Sequence, residues 1–272
     1  MHAENPDIID LHIEQFIKEK KLTPWYHYLS RPEAVEAEAD IRAIHWAKTL
    51  RAPLYIVHLA NHIGMQAVEK AIHDGYEIYA ETCPQYLHFT CDVYKRPDGR
   101  NFVCSPPIKG EKSRDALWAG IRKGLIHVVA TDHCPFTQAQ KDWGKDDFTQ
   151  IPNGCMGVET LYPYMLSAAS RGLISFEKAV ALCAFQPAKI FGCQRKGSLR
   201  PGKDADIVLY DPQPQVVIRQ EQMHSDCDYT IWEGTKLQGA ITHTYSRGQL
   251  VYAQGQFLGQ PGWGKFVACH RE

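Results

Sequence analysis

The sequence predicts an α/β fold with a smaller antiparallel β region toward its carboxyl-terminal side, on three observations. Between about residues 31 and 130, helical periodicity alternates with short apolar runs, the rhythm of helix-strand units in a parallel sheet. Three of those apolar runs end in side chains able to ligate a cation or move a proton. After Gly192 the pattern changes to period-two alternation punctuated by Gly and Asp turn residues, which reads as antiparallel strands.

In chain order, Ala37, Ile41 and Ile44 recur at helical spacing and predict a helix ending near Leu50, followed by Leu54 to Val57 as a buried strand with His58 at its carboxyl end. Met65, Val68 and Ile72 share one face of the next helix, Gly75 stops it, and Ile78, Tyr79 and Ala80 form a second strand that runs directly into Glu81 and Thr82. Leu117 and Ile121 mark a third helix ended by Gly124, and Ile126 to Ala130 a third strand that closes with Thr131, Asp132 and His133. The stretch 135–157 is loop-rich. Two helices follow, over 158–169, with an apolar face at Val158, Leu161, Met165 and Ala168, and over 176–184. The strings LRPGKDADIVLYDP and AITHTYSRGQLVYAQGQF carry the β pattern of the last third. No solenoid repeat and no low-complexity segment interrupts this order.

Composition excludes several functions. The 272 residues, 44% hydrophobic and 22% charged, suffice for a sizeable core in one or two domains. With 30 basic against 31 acidic side chains, the net charge of -1 offers no global field for nucleic acid or an anionic membrane. The start, MHAENPDIID, lacks a basic region followed by an apolar run, and no stretch approaches the roughly 20 apolar residues of a membrane span. A cytoplasmic location is expected. The nine cysteines lack CxxC or zinc-finger spacing, so reduced, incidental thiols are expected rather than a disulfide framework.

Parallel α/β barrels put their chemistry at the carboxyl ends of the strands, and that position nominates His58 and Asp132. With His2 in MHAEN they form an imidazole and carboxylate set suited to a zinc-like divalent ion. One such histidine alone reads more simply as a hydrogen-bonded structural residue; it is the recurrence at successive strand ends that favours ligation. Among the thirteen histidines, His12, His27, His45, His73, His88 and His127 lie in helical or connecting stretches and read as surface or core residues.

The strings IVHLAN, AETCPQYL, SPPIK, ATDHCPF, DFTQIPNG and GVE, in that order, resemble the dihydropyrimidinase and D-hydantoinase family, phenylhydantoinases included. RPEAVEAEADIRAI, QPAKIFG, KGSLRPGKDADIVLYDP, YTIWEG and SRGQLVY extend the resemblance over essentially the whole chain. It implies the carboxyl-terminal half of a metal-dependent (β/α)8 TIM-type barrel over residues 1–192 and a small β-rich region over 193–272. It also implies a hydrolase that opens cyclic amides to N-carbamoyl amino acids. By the same resemblance, His2, His58 and Asp132 are metal ligands, with Asp132 also the general base. Ser105 and Asn153 would hold the cyclic imide through main-chain and polar contacts. His133 could tune Asp132 or simply pack, and Glu81, Thr82 and Cys83 have no assigned role.

The family's His-x-His pair and its bridging carbamylated lysine are not found in the sequence, and HAEN, which belongs near the end of a fifth barrel strand, begins at residue 2. The resemblance therefore implies a truncated, inactive copy, or a chain completed by a separate amino-terminal half. Its implied partners are a small cyclic amide and further copies in a tetramer, with neither nucleic acid nor membrane. Allantoinase and dihydroorotase are the nearest enzymatic alternatives. A scaffold of the collapsin response mediator type, which need not keep metal ligands, is the alternative from another class.

Overall fold

The computed structural model describes residues 1–270. Among the described residues two compact units emerge, the first formed by 1–158 together with 223–231, the second by 159–222 together with 232–270.

The first unit opens with helices α1 (Pro6–Lys18), α2 (Pro24–Ser30) and α3 (Glu33–Leu50). Asn5 caps α1, its side-chain oxygen accepting from the N–H groups of Asp7 and Ile8, and Pro6 occupies the first turn, where a missing N–H costs nothing. Strand β1 (Leu54–Ile56), helix α4 (His62–His73), strand β2 (Ile78–Thr82), the short α5 (Pro84–His88), helix α6 (Glu111–Lys123) and strand β3 (Val128–Val129) then repeat the strand-helix rhythm. The three strands form one parallel sheet in sequence order, with Leu54 beside Ile78, Ile56 beside Ala80, and Glu81 beside Val128. Parallel pairing without register slips puts the strand ends at one edge.

The amino-terminal residues extend that sheet. Met1 donates its amino group to the Tyr55 carbonyl and its own carbonyl accepts from the N–H of Val57 at 3.3 Å. A residue bonded to positions 55 and 57 lies in parallel register with Ile56, so His2 falls level with Val57 and next to His58.

Two sequence expectations are corrected. Ile41 is 48% exposed, whereas Glu36, Ala37, Asp40, Ala43, Ile44 and Ala47 of α3 are buried. The inward face is one residue out of phase with Ile41 because it carries two acids. Val158 likewise is 64% exposed while Met165 and Ala168 are buried. The other expected faces hold: Met65, Val68, Leu117 and Ile121 are buried.

The second unit contains helix α8 (Val158–Ser170), the segment α9 (Phe176–Val180) that runs through a wider π turn at Ala181–Phe185 into α10 (Gln186–Ile190), and an antiparallel sheet. The helix numbered α7 (Gln138–Lys141) belongs to the first unit. The sheet orders β4 (Ile207–Val217), β5 (Lys236–Ser246), β6 (Gln249–Ala253) and β7 (Gln256–Phe257) as a meander. The β5–β6 turn is Arg247-Gly248, both at positive φ (47° and 83°), the turn geometry whose twist matches antiparallel strands. Pro212 and Pro214 cannot donate to the ladder, and β4 shifts register between Asp211 and Gln215, where the Gln238 side chain bonds the Pro212 and Gln213 carbonyls instead. Among the described residues no helix is long and apolar enough to cross a membrane.

Gly64, in the first turn of α4, tests this packing. A Cβ there would lie 2.2 Å from Asp40 Oδ2 and 2.9 Å from both Asn61 Nδ2 and Leu59 Cδ1. Gly64→Ala is therefore expected to destabilise the protein by about 3 kcal/mol in urea unfolding, through overpacking against a buried polar pair.

Candidate active site at the strand ends

The parallel edge gathers His2, His58, Glu81 and Asp132. His2 Nδ1 and His58 Nε2 are 3.1 Å apart, their rings meeting edge to face with centroids 4.9 Å apart. His58 and Asp132 both adopt left-handed backbone (φ 41° and 47°). For residues other than glycine this costs about 1 kcal/mol or more and persists only where surrounding structure enforces it. At His58 the enforcing groups are visible. Its N–H faces Glu81 Oε1 at 3.4 Å, the next N–H, of Leu59, donates to the Glu81 carbonyl at 2.7 Å, and Thr82 Oγ1 donates to the Leu59 carbonyl at 2.8 Å. The Tyr55 hydroxyl donates to Glu81 Oε2 at 2.6 Å. Glu81 and Thr82, without a role in the sequence reading, thus pin the turn that presents His58. Cys83 is fully buried, and burial pushes its thiol well above the usual range, so it is no nucleophile.

His2 is half exposed, and its Nε2 lies 3.2 Å from Glu4 Oε2. That carboxylate raises the imidazole pKa above its ordinary value. It also fixes the tautomer: with Nε2–H directed to Glu4, the lone pair of Nδ1 faces His58. His58 is buried, and burial lowers its pKa, opposed by the field of Asp132. The field of the Asp132 carboxylate acts on both rings, adding slightly to the rise at His2, which Glu4 dominates, and opposing the fall that burial causes at His58. The structure thus joins His2 and His58 directly and brings Asp132 within electrostatic reach of both. Among the described residues, no group of three or more His, Cys, Asp or Glu donors is arranged to hold a metal ion. The two imidazoles do fit a cation: nitrogens 3.1 Å apart approach the roughly 3.3 Å edge of a tetrahedron with metal-nitrogen distances near 2.0 Å. His58 Nδ1, the ring nitrogen that faces away from His2, is buried without a hydrogen-bond partner, so no neighbour orients this ring as Glu4 orients that of His2.

Beneath this pair lies a charged layer that sequence reasoning missed. Glu4 reaches Arg31 Nε at 3.8 Å; buried Lys109 donates to the Arg31 carbonyl at 2.6 Å and lies 3.9 Å from Glu36; Glu36 accepts from the Ala60 N–H at 2.7 Å; and Asp40 accepts from Asn61 Nδ2 at 3.3 Å. Burial pushes Glu36 up to about 7 and Asp40 up to about 8. HAEN, RPEAVEAEAD and SPPIK supply these residues, yet charged side chains are buried so seldom that composition gives no hint of it.

Ser105 and Asn153 also come together. Ser105 Oγ donates to Asn153 Oδ1 at 2.8 Å, and Asn153 Nδ2 donates to the Ile151 carbonyl at 2.9 Å. Their loop joins the Asp132 turn: His133 bridges Cys155 in parallel fashion, and the Cys134 N–H donates to the Cys155 carbonyl at 3.0 Å. His133 Nδ1 accepts from the Gly157 and Val158 N–H groups at 3.0 and 3.3 Å, an anchoring role.

Against known proteins, the model of the amidohydrolase family matches residues 27–251. The chain belongs to the amidohydrolase family. It is 41% identical to the D-hydantoinase of Ralstonia pickettii and 42% identical to the D-phenylhydantoinase of Escherichia coli O1:K1, each over 271 residues. Both alignments cover 98% of this chain and 59% of the relative. A solved D-hydantoinase superposes with a TM-score of 0.95 at 40% identity, and the dihydropyrimidinase of Brevibacillus agri with 0.95 at 37%, each covering 98% of this chain and 59% of the other. This amidohydrolase chain therefore spans about three fifths of the length of the relatives it matches, and the resemblance to hydantoinases drawn from its motifs is borne out.

Two measurements check the site's electrostatics. In NMR titration His2 is expected to protonate at higher pH than His58, and Glu4→Gln to narrow the gap by lowering His2. For Asp40 the folded pKa lies above the unfolded one, so the native state holds the extra proton and stability falls as pH rises from about 4 through 8. Asp40→Asn removes that share of the slope, giving a gain over wild type on the order of 2 kcal/mol at pH 8 that vanishes toward pH 4.

Proposed function

We propose that this chain carries part of the centre of a metal-dependent hydrolase that opens hydantoin or dihydropyrimidine rings to N-carbamoyl amino acids. The observation that carries this reading is the pairing of His2 Nδ1 with His58 Nε2 at 3.1 Å within the field of Asp132. His2 and His58 would hold a divalent ion, zinc by the chemistry of the donor set, with Asp132 as a further ligand. When bound, that ion supplies Lewis acidity toward a ring carbonyl and lowers the pKa of water. Asp132 accepts the proton of the attacking water and returns it to the departing ring nitrogen. Ser105 and Asn153 bond each other through their side chains, which leaves main-chain groups of the two loops to meet the N–H and C=O groups of a small cyclic amide. Assembly with further copies, or with a chain supplying the remaining ligands, belongs to the same proposal, as does the division into a barrel portion over 1–192 and a β-rich portion over 193–272.

The lack of a three-donor cluster among the described residues favours a second reading, a non-catalytic scaffold. Zinc binding separates the two. The 272-residue chain is expected to bind zinc weakly, because its three donors are not assembled around one point and, without a bridging carbamate, a second ion would be poorly held, with binding lost in His58→Ala. In the presence of zinc, ring opening of 5-phenylhydantoin or dihydrouracil is expected to be slow or absent for the chain alone, and any turnover to fall at least a hundredfold in Asp132→Asn. Zinc affinity unchanged by His58→Ala would refute the site.

A further inference from the structure

Lys141, at the end of α7, is completely buried. Its ammonium donates to the main-chain carbonyls of Val103 at 2.9 Å, Pro152 at 2.6 Å and Gly154 at 2.8 Å, and lies 5.3 Å from the centre of the Phe136 ring. An ammonium has three donors, so these bonds saturate it. Burying a cation is among the costlier choices a fold can make and persists where the hydrogen bonds it forms are otherwise hard to supply.

The three carbonyls belong to the two loops that carry the proposed ring-holding residues. Val103 lies two residues before Ser105, and Pro152 and Gly154 flank Asn153. The loops are also joined directly, the Gly154 N–H donating to the Val103 carbonyl at 2.9 Å. One ammonium thus holds the carbonyls on both sides of Asn153, which leaves the main chain at Asn153 between two fixed points. The helix that delivers the lysine is itself fixed: Thr137 and Gln140 form a reciprocal cap, and the side chains of Gln138 and Asn101 exchange two hydrogen bonds at 2.9 and 3.1 Å.

We propose that Lys141 is a positioning residue for the cyclic-amide ligand, clamping the Ser105 and Asn153 loops so that the main chain at Asn153 faces the ring. The proposal rests on the reading of those two residues as the ring-holding pair. It predicts that loops without regular secondary structure behave as rigidly as the sheet.

Hydrogen exchange and ligand binding test it on the full 272-residue chain. In wild type, the Gly154 amide is expected to exchange as slowly as amides of β2. Lys141→Met, which keeps the volume and removes the donors, should speed exchange at least tenfold in peptides covering 103–105 and 152–155 while leaving β1 and β2 unchanged. It should also weaken 5-phenylhydantoin binding at least tenfold, measured by NMR, whereas Leu182→Ala, a core truncation in the second unit, lowers thermal stability without that loss. Rapid exchange at Gly154 in wild type, unaltered loop exchange in Lys141→Met, or equal loss of affinity in Leu182→Ala overturns the positioning role. The wild-type measurement needs no variant to fold. No phenylhydantoin binding by wild type, with the loops still slow, overturns the ring-recognition reading instead, so the two failures are told apart.

Discussion

Everything at this site depends on parallel strands pairing without a register slip. A one-residue shift in any strand would send its terminal side chain to the opposite face. The pairing of Met1 alongside Ile56, of Ile56 with Ala80, and of Glu81 with Val128 is therefore what turns four distant positions into one edge. The Met1 contact matters most for the histidines, because two backbone hydrogen bonds to Tyr55 and Val57 decide that His2 lies beside His58.

Edge alignment alone would not hold the side chains in useful directions. At His58 the left-handed turn is supported from β2 by the Glu81 side chain and carbonyl and by the Thr82 hydroxyl. At His2 the support comes from Glu4, itself placed over Arg31 and the buried layer of Lys109, Glu36 and Asp40. That layer sets opposing tendencies: the carboxylate next to His2 favours its cationic form, while burial favours neutral His58. The two imidazoles in contact thus differ in proton affinity, His2 holding its proton to higher pH than His58.

Much of this was legible in the sequence because it follows from periodicity. The apolar runs at Leu54, Ile78 and Val128, the stops at Gly75 and Gly124, and the β pattern after Gly192 all depend on local rules that the structure obeys. The positions of His58 and Asp132 followed from strand ends and His2 joined them by donor chemistry, whereas Ser105 and Asn153 depended on motif resemblance, since nothing local distinguishes them. What escaped notice was the charged interior. Ile41 was expected inward, yet it is exposed while Asp40 and Glu36 are buried, facing Asn61 and the Ala60 N–H across the core. Lys141 escaped for the same reason: its partners are main-chain carbonyls of other loops, which leave no trace in composition or spacing.

The seat of Gly154 carries one more consequence. A side-chain carbon there would lie 2.5 Å from the Cys134 carbonyl oxygen and 2.6 Å from its Cβ, so two polypeptide segments touch with no slack between them. One segment bears Asn153 and the other follows Asp132 by two residues. Displacement of either must drag its neighbour, so under the proposed function a guest that seats badly against the first segment would also shift the turn that carries Asp132.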